Sequence, residues 1–295
     1  MKNFEELIKL ASSKKSKIAV AAASDENVLE ACLLAYERNL ADFILIGDKE
    51  KILKTTVGSS NISNDKFEIL DEKDMAKASE IAVSLVKENK ASALMKGLVD
   101  TSIILKAALH KENGIRTDRK LSHLAAFEVK DYHKLLFLTD AAINIAPTLE
   151  DKKSILENAV LSLNNLGFSP KVALLAAKEK VDPKMPVTLE YEEIVKDHKN
   201  GFLPKSSIEG PLALDNAVSK EACEIKGIKT EIGGDVDLLF TPNIESGNVL
   251  YKSLTFLAGA KTGGVVLGAQ RPIILTSRSD SAEAKLLSIA LSLVF

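Results

Sequence analysis

The chain has 295 residues, 46% of them apolar and 27% charged, with a net charge of −2. That length suggests two domains at about 150 residues each, and the interspersed charge excludes a strongly basic face that would hold nucleic acid through its phosphates. Aromatic residues are 5% and tryptophan is absent, so the interior is expected to be Ala, Val, Ile and Leu, as suits parallel sheets covered by helices.

The opening residues, MKNFEELIKLASSKKSK, are amphipathic and charged rather than continuously apolar, and no later run is long enough to span a bilayer. A cytoplasmic protein with no membrane partner is expected. SKIAVAAAS (16–24) reads as a strand ending in Ser-Asp, and the following segment carries Val28, Leu29, Leu33 and Leu34 at helical spacing. ADFILIGD is a second strand, DMAKASEIAVSLVKEN a helix and ASALMKG a third strand. This alternation argues for a mostly parallel α/β sheet with helices on both faces. TSIILKAALHKE (101–112) is a helix that begins just after a strand end, so loop 95–100 lies where open α/β sheets bind ligands.

Runs 123–129 and 134–139 are read as an antiparallel hairpin. TLEDKKSILENAVLSLNNLG opens with a Thr-x-x-Asp capping pattern at Thr148 and Asp151, and is a helix. KVALLAAKE restarts the alternation at 171, and 181–200 is a Pro- and charge-rich segment with no assigned element. VDLLFTP is a strand, and the stretch after it is read as a helix opening at Gly247–Asn248, with Val249, Leu250, Leu254 and Leu257 as its apolar positions. GGVVLGAQRPIILTS supplies the last strands. The terminal helix carries Leu286, Leu287, Ala290, Leu291 and Val294 on one stripe.

Cys32 and Cys223 form no CxxC pair, which argues against a disulfide framework or a cysteine zinc site. His110, His123, His133 and His198 show neither HExxH nor an i, i+4 pairing, so catalysis without a protein-bound metal is expected. The junctions MKGLVDTS, TDAAINIAPT, EGPLALDNA, TPNIESGN and TSRSDS are polar or bear Gly or Pro. They contain neither GxGxxG nor GxxxxGK[ST], which disfavours a Rossmann cofactor or a P-loop. In ILTSRSDSAEAKLL two readings stand side by side. Thr276, Ser277, Ser279 and Ser281 are turn residues and Asp280 caps the next helix with Glu283 at capping-box spacing; or the helix start, with its unsatisfied N–H groups, holds an anion that Arg278 grips.

The runs LTDAAINIAP, EGPLALDNAV and VDLLFTPNIESGNVLYKSLTFLAGAKTGGVVLGAQRPIILTSRSD together resemble the phosphate acetyl/butyryl transferase family over nearly the whole chain, and the short N-terminal region is most similar to its butyryl branch. The resemblance implies reversible acyl transfer: acyl-CoA and orthophosphate give acyl phosphate and free CoA, with CoA as substrate and no resident cofactor. It also implies a two-lobed isocitrate/isopropylmalate dehydrogenase-like fold with an interdomain cleft, and a homodimer or higher homo-oligomer built mainly through the second lobe. The expected lobes are 1–139 with 275–295, and 140–274.

Such a reaction needs an anion grip, a carbonyl polariser and a base for a thiol of ordinary pKa about 8.5. Ser277 and Arg278 match a family Ser-Arg pair, and the guanidinium offers a planar fork for phosphate oxygens. The family glycine that follows is Ser279 here. The paired acids, the second of which is taken in the family as the base toward CoA, are Glu283 and Ala284, so the base does not carry over; Asp280, then Glu283, are the substitutes. Lys106 stands at the place of a second anion-binding arginine or is a surface lysine near a helix start, and Arg116 and Arg119 are further candidates for phosphate or CoA or belong to a solvated charged loop. Asn144 and Pro147 match a family motif, with Asn144 read as orienting a phosphate or carbonyl. Gly247 and Asn248, at a helix start, are read either as a second amide-rich anion cradle with Lys252 one turn on, or with Asn248 as a plain N-cap. Two other readings compete: a metal- and nicotinamide-dependent decarboxylating dehydrogenase on the same architecture, and a non-catalytic CoA- or phosphate-binding protein. The first would want clustered aspartates, and Asp235 and Asp237 are read as alternating along a strand.

Overall fold

The computed structural model describes residues 1–13, 16–55, 67–277 and 280–295; Arg278 and Ser279 lie outside the described residues. The chain divides into a terminal unit, residues 4–119 and 262–295, and a central unit, residues 120–261 with 1–3. These divisions fall at 119/120 and 261/262, whereas the sequence reading has them at 139/140 and 274/275. Pairing explains the difference: the expected hairpin joins a sheet of the central unit, and residues of 262–267 pair with 273–274 in the terminal unit.

The terminal unit begins with α1 (Phe4–Ala11), β1 (Lys17–Ala21), α2 (Glu26–Glu37), β2 (Asp42–Gly47), α3 (Lys49–Lys54), β3 (Phe67–Asp71), α4 (Met75–Lys87), β4 (Ala93–Lys96) and α5 (Thr101–Ala108). The central unit contains β5 (Ser122–Glu128), β6 (Leu136–Thr139), α6 (Leu149–Asn164), β7 (Lys171–Leu175), α7 (Pro186–Lys199), β8 (Ser207–Leu212), α8 (Leu214–Val218), α9 (Lys220–Lys226), β9 (Leu238–Phe240) and α10 (Ile244–Lys252). After a π-helical turn at Ser253–Leu257 the chain returns through β10 (Lys261–Leu267), β11 (Ile273–Ile274) and α11 (Ala282–Val294).

Local chemistry starts the helices where the sequence suggests. The Asp25 carboxylate accepts from Val28 N at 3.0 Å, that of Asp74 from Ala76 N and Lys77 N, and Thr148 and Asp151 form the reciprocal capping box. In the terminal unit the strands stand in the order β3-β2-β1-β4-β11-β10, and each pair is parallel except β10–β11. The chain leaves β1 toward β2, while β4 lies on the other side, so the crevice outside the carboxyl ends of β1 and β4 is a topological switch point. In the central unit the order is β5-β6-β9-β7-β8, with only the β5–β6 hairpin antiparallel. No helix of the described residues is long and apolar enough to cross a membrane.

Three expectations change. The charge-rich segment 181–200 contains α7, which opens on Pro186 and buries Thr188, Tyr191 and Ile194 at a spacing of three; its charges face outward, which hides the helix from a hydropathy reading. The helix expected at Gly247–Asn248 opens three residues earlier, because the Asn243 side chain caps it through Ser246 N at 3.1 Å. Its expected apolar positions Val249 and Leu257 are 65% and 86% exposed. Finally, α11 is buried on nearly every side, Lys285, Ser288 and Ser292 included, rather than along one stripe.

At the amino ends of β6, β7 and β9 a charge cluster clamps the central sheet. Asp235 accepts from His133 Nε2 at 2.7 Å, Lys134 Nζ at 2.8 Å and Lys171 Nζ at 2.6 Å, while Asp237 is bound to Lys134 at 2.8 Å and accepts from Lys171 N at 2.8 Å. The two aspartates precede β9 rather than alternating along it, and Lys134 reaches both. Partial burial raises the Asp235 carboxyl, but the hydrogen bonds from Lys134, Lys171 and His133 outweigh it and hold the group well below the usual carboxylate range. A depressed folded pKa gives stability that is present above the unfolded value of about 3.9 and is lost as pH falls through the folded value. Asp235→Asn is therefore expected to lower stability near neutrality by about 1 kcal/mol, a figure discounted because the group is half solvated. Urea unfolding should show the gap to wild type narrowing in strong acid. A gap that is the same near pH 7 and near pH 3 would mean the cluster contributes no pH-linked stability.

Candidate active site

In the terminal unit, β1, β4 and β11 end side by side. Gly97 N donates to Ala21 O at 2.8 Å and Leu98 N to Ala22 O at 2.7 Å, so the chain leaving β4 presses onto the end of β1. A Cβ at Gly97 would sit 2.3 Å from Ala22 O and 2.7 Å from Ala21 O, which is why only glycine fits. Lys96 is buried, and its ammonium donates to Gly97 O at 3.4 Å and Val99 O at 3.3 Å. The following helix, α5, opens after Asp100, whose side chain makes no capping bond to it.

Beyond β11, Ser277 and Asp280 bind each other. Ser277 N donates to Asp280 Oδ2 at 2.7 Å, and Asp280 N donates to Ser277 O at 3.2 Å. The expected Asp280–Glu283 capping box does not form. Ser281, in extended backbone, is the cap of α11 and accepts from Ala284 N at 3.2 Å, because the Asp280 carboxylate is turned back onto Ser277. Glu283 lies exposed in the first turn, so the reason for ranking it below Asp280, its use in a cap, disappears. Thr276, just ahead, is 7% exposed, and its hydroxyl has no hydrogen-bond partner among the described residues. Such a group costs about 1–3 kcal/mol unless water or a ligand meets it.

Sequence reasoning missed Lys285. It is 2% exposed, and its ammonium donates to Ser277 O at 3.2 Å and to Asp280 O. Burial lowers its pKa, against the opposing pull of the Asp280 and Asp25 carboxylates. The available signal was a lone lysine in a mostly apolar helix, seven residues after Arg278.

In the central unit the loop after β6 is organised by a second missed residue, Asp140, which is 4% exposed. Its carboxylate accepts from Ala142 N at 2.9 Å, Ile143 N at 3.0 Å, Asn144 N at 3.3 Å and Asn144 Nδ2 at 2.6 Å. Asn144 Nδ2 also donates to Leu121 O at 2.8 Å, so both of its N–H groups are spent on bracing the loop. What remains is the amide oxygen, an acceptor that could meet a P–OH group but not an ionised phosphate oxygen. Asn248 Nδ2 donates to Ala141 O at 3.1 Å from the second turn of α10, and is neither a cap nor part of an open cradle. Gly247 allows that packing, since a Cβ there would lie 2.2 Å from Asp140 O.

Lys106 lines a groove of about 800 Å³ between α4 and α5, with Lys87, Glu80 and His110 among its neighbours and none of the other candidates. Arg116 and Arg119 are exposed; Arg116 bridges to Ala269 in the backbone, beside the Thr117 hydroxyl that donates to Gly268 O. Lys252 is exposed at the end of α10 with its ammonium 5.9 Å from the Phe256 ring centre. Among the described residues no group of His, Cys, Asp and Glu could hold a metal ion.

The family model described as phosphate acetyl/butaryl transferase matches residues 3–82 and 72–293. A phosphate butyryltransferase of Clostridium acetobutylicum is 44% identical, over 99% of this chain and 97% of its own. The crystal structure of a branched-chain phosphotransacylase from Enterococcus faecalis superposes with a TM-score of 0.85 at 34% identity, covering 95% of this chain and 98% of that one. A 4-hydroxythreonine-4-phosphate dehydrogenase from Klebsiella pneumoniae, at 12% identity with a TM-score of 0.55, covers 94% of this chain and 98% of its own and shows likeness of fold alone.

Proposed function

We propose, on the premise that this chain belongs to the phosphate acetyl/butyryl transferase family, that its acyl group is a short chain of about four carbons and that the Ser277–Asp280 segment is where phosphate meets the thioester. The chain is an acyltransferase: it moves an acyl group reversibly between CoA and orthophosphate. CoA enters as a substrate. The observation that carries the reading is the 44% identity to a phosphate butyryltransferase over nearly the full length of both chains. The similarity to a branched-chain phosphotransacylase supports acyl transfer.

In the acyl-phosphate-consuming direction a thiolate attacks the carbonyl and phosphate leaves; in the reverse direction phosphate attacks and the thiolate leaves. Both directions need positive charge near the phosphate oxygens and a group that exchanges a proton with the thiol. Arg278 is our phosphate grip, and charge-assisted bonds of that kind contribute roughly 1.5–3 kcal/mol each. Asp280 and Glu283 remain the two candidates for the proton acceptor; the Asp280 carboxylate also accepts from Ser277 N. Asn144 and Asn248 become loop braces rather than ligands. We read the two-unit architecture as isocitrate/isopropylmalate dehydrogenase-like, a reading favoured by the fold likeness to a dehydrogenase. The dehydrogenase chemistry itself finds no support in Asp235 and Asp237, which are bound to lysines. A homodimer built on the central unit would give Val249, Phe256 and Leu257, exposed at its surface, a partner to cover them.

The test is thiol release from butyryl-CoA with and without phosphate. Phosphate-dependent release is expected, and Arg278→Ala is expected to lower kcat/KM by about 10²-fold while Lys106→Ala changes it less than about threefold. No phosphate-dependent release from acetyl-, butyryl- or isobutyryl-CoA would remove the acyltransferase reading; equal small losses in the two variants would remove Arg278 from the phosphate site.

A further inference from the structure

Strand β4 ends in a lysine, although its other residues, Ala93, Leu94 and Met95, are apolar and fully buried. Lys96 pairs with Ala21 of β1 in the middle of the sheet and is only 6% exposed. Withdrawing a charge from water in this way costs free energy that an apolar side chain would not. The ammonium does not stay among the strands. It reaches forward past the strand end to Gly97 O at 3.4 Å and Val99 O at 3.3 Å, carbonyls of a turn in which Val99 N also donates to Gly97 O at 3.0 Å. Both contacts lie beyond the range of about 2.7–3.2 Å usual for N–H donors, and both of these carbonyls are neutral. The positive charge therefore stands at the carboxyl ends of β1 and β4, on the side of the switch point where open α/β sheets hold ligands. Its support is rigid: Gly97 N and Leu98 N are bonded to Ala21 O and Ala22 O, and main chain leaves no room for a Cβ at Gly97. A ligand group carried on such a turn is held in one place before the ligand arrives.

We propose that Lys96 is a phosphate-binding residue of the acyl-transfer reaction, its ammonium pairing with an oxygen of orthophosphate at the crevice outside β1 and β4. The inference rests on the acyltransferase reading and deepens it, by giving the phosphate a cation from a strand end in addition to Arg278. When phosphate attacks, one of its oxygens bonds to the thioester carbonyl carbon, the C–S bond breaks, and the proton of the phosphate dianion ends on the thiol of CoA. The ammonium keeps its own protons and neutralises charge on an oxygen that does not attack. Loss of the lysine therefore weakens phosphate binding and leaves the KM for acyl-CoA little changed. A lysine that only braced the turn would act on stability and leave phosphate binding as it was.

Two variants of the full chain separate these roles. Lys96→Met removes the charge and the donors, whereas Lys96→Gln removes the charge and keeps an N–H donor for the turn carbonyls. Each is assayed by thiol release from butyryl-CoA well below its unfolding midpoint, and by the rise of that midpoint in inorganic phosphate compared with chloride at equal ionic strength. In both variants the KM for phosphate is expected to rise about 10- to 100-fold, as for the loss of one charge-assisted bond, with the KM for butyryl-CoA little changed. The midpoint rise that phosphate gives the wild type is expected to shrink to that of chloride. A wild-type phosphate KM and midpoint rise in either variant overturns the proposal, as does an equal rise in both KM values. If neither variant folds, a crystal of the wild-type protein grown in phosphate decides: the ion within hydrogen-bond distance of Lys96 Nζ supports the role, and the ion elsewhere or absent overturns it. Wild-type protein that releases no thiol in a phosphate-dependent way overturns the acyltransferase reading, while the midpoint rise and its loss still decide whether Lys96 holds phosphate. Phosphate-dependent turnover with unaffected variants overturns the inference alone.

Discussion

Gly97→Ala lowers the stability of the terminal unit by about 3 kcal/mol and turnover by about a hundredfold. The added methyl has nowhere to go: three main-chain atoms of Ala21 and Ala22 lie within 2.8 Å of its position, and main chain inside a paired sheet does not rotate away as a side chain does. Relief requires β4 to part from β1, which strains the bonds from Gly97 N to Ala21 O and from Leu98 N to Ala22 O. The displacement is passed on, because Lys96 and Val99 are tied together through the buried ammonium and α5 begins at Thr101, soon after Lys96. An unfolding scan and a steady-state assay on the same preparation check both figures. A variant with wild-type stability would mean that the strand ends separate easily and that the switch-point crevice is not a rigid element.

Much of this frame was legible because it is written in local chemistry. The alternation of buried runs with capped helices gives β1-α2-β2 and β4-α5 directly, and Asp25, Asp74 and the Thr148–Asp151 pair mark helix starts that the structure shows at the same residues. Where a local signal competes with a neighbour, the reading slips. Asp280 and Glu283 have capping-box spacing, but Ser281 is one residue nearer the helix and frees Asp280 to fold back. Gly247 looks like a helix start and is instead a contact point, glycine because Asp140 O lies against it. Helix α7 was hidden because its apolar contact is narrow and its exposed faces are charged. Strand β3, FEILD, carries acids at Glu68 and Asp71 and was passed over.

The candidate site was legible in a different measure. The Ser-Arg pair and the acid replaced by Ala284 come from a resemblance of sequence, and the resemblance points to the right family. It does not reveal Lys285 or Asp140. Each of these acts through main-chain groups that burial brings within reach, and no spacing rule marks a carbonyl as a partner. Their roles appear only once the helix or the loop is packed.

Asp140→Ala is expected to cost roughly 3–5 kcal/mol. The carboxylate is the one acceptor for three consecutive backbone N–H groups and half of the Asn144 amide, all at a site where only 4% of the residue is exposed. Its removal strands those donors, and the loss spreads to the neighbouring loop: Thr241 Oγ1 donates to Asp140 O at 3.1 Å and Asn248 Nδ2 to Ala141 O, so the segment after β9 is seated on the segment after β6. Asp140→Asn is the informative companion. It keeps the shape and one acceptor oxygen but turns an NH₂ group toward donors that need an acceptor, so it should lie between wild type and alanine rather than rescue the loop. Urea unfolding gives the free energies, and amide exchange at Ala142, Ile143 and Asn144 reports whether the loss is local. Fast exchange at those three amides is expected in both variants, with the strand amides of β6 still protected in the asparagine form. An alanine variant within about 1 kcal/mol of wild type would mean that water replaces the carboxylate without cost, and that the loop after β6 is held by its neighbours rather than by its own aspartate.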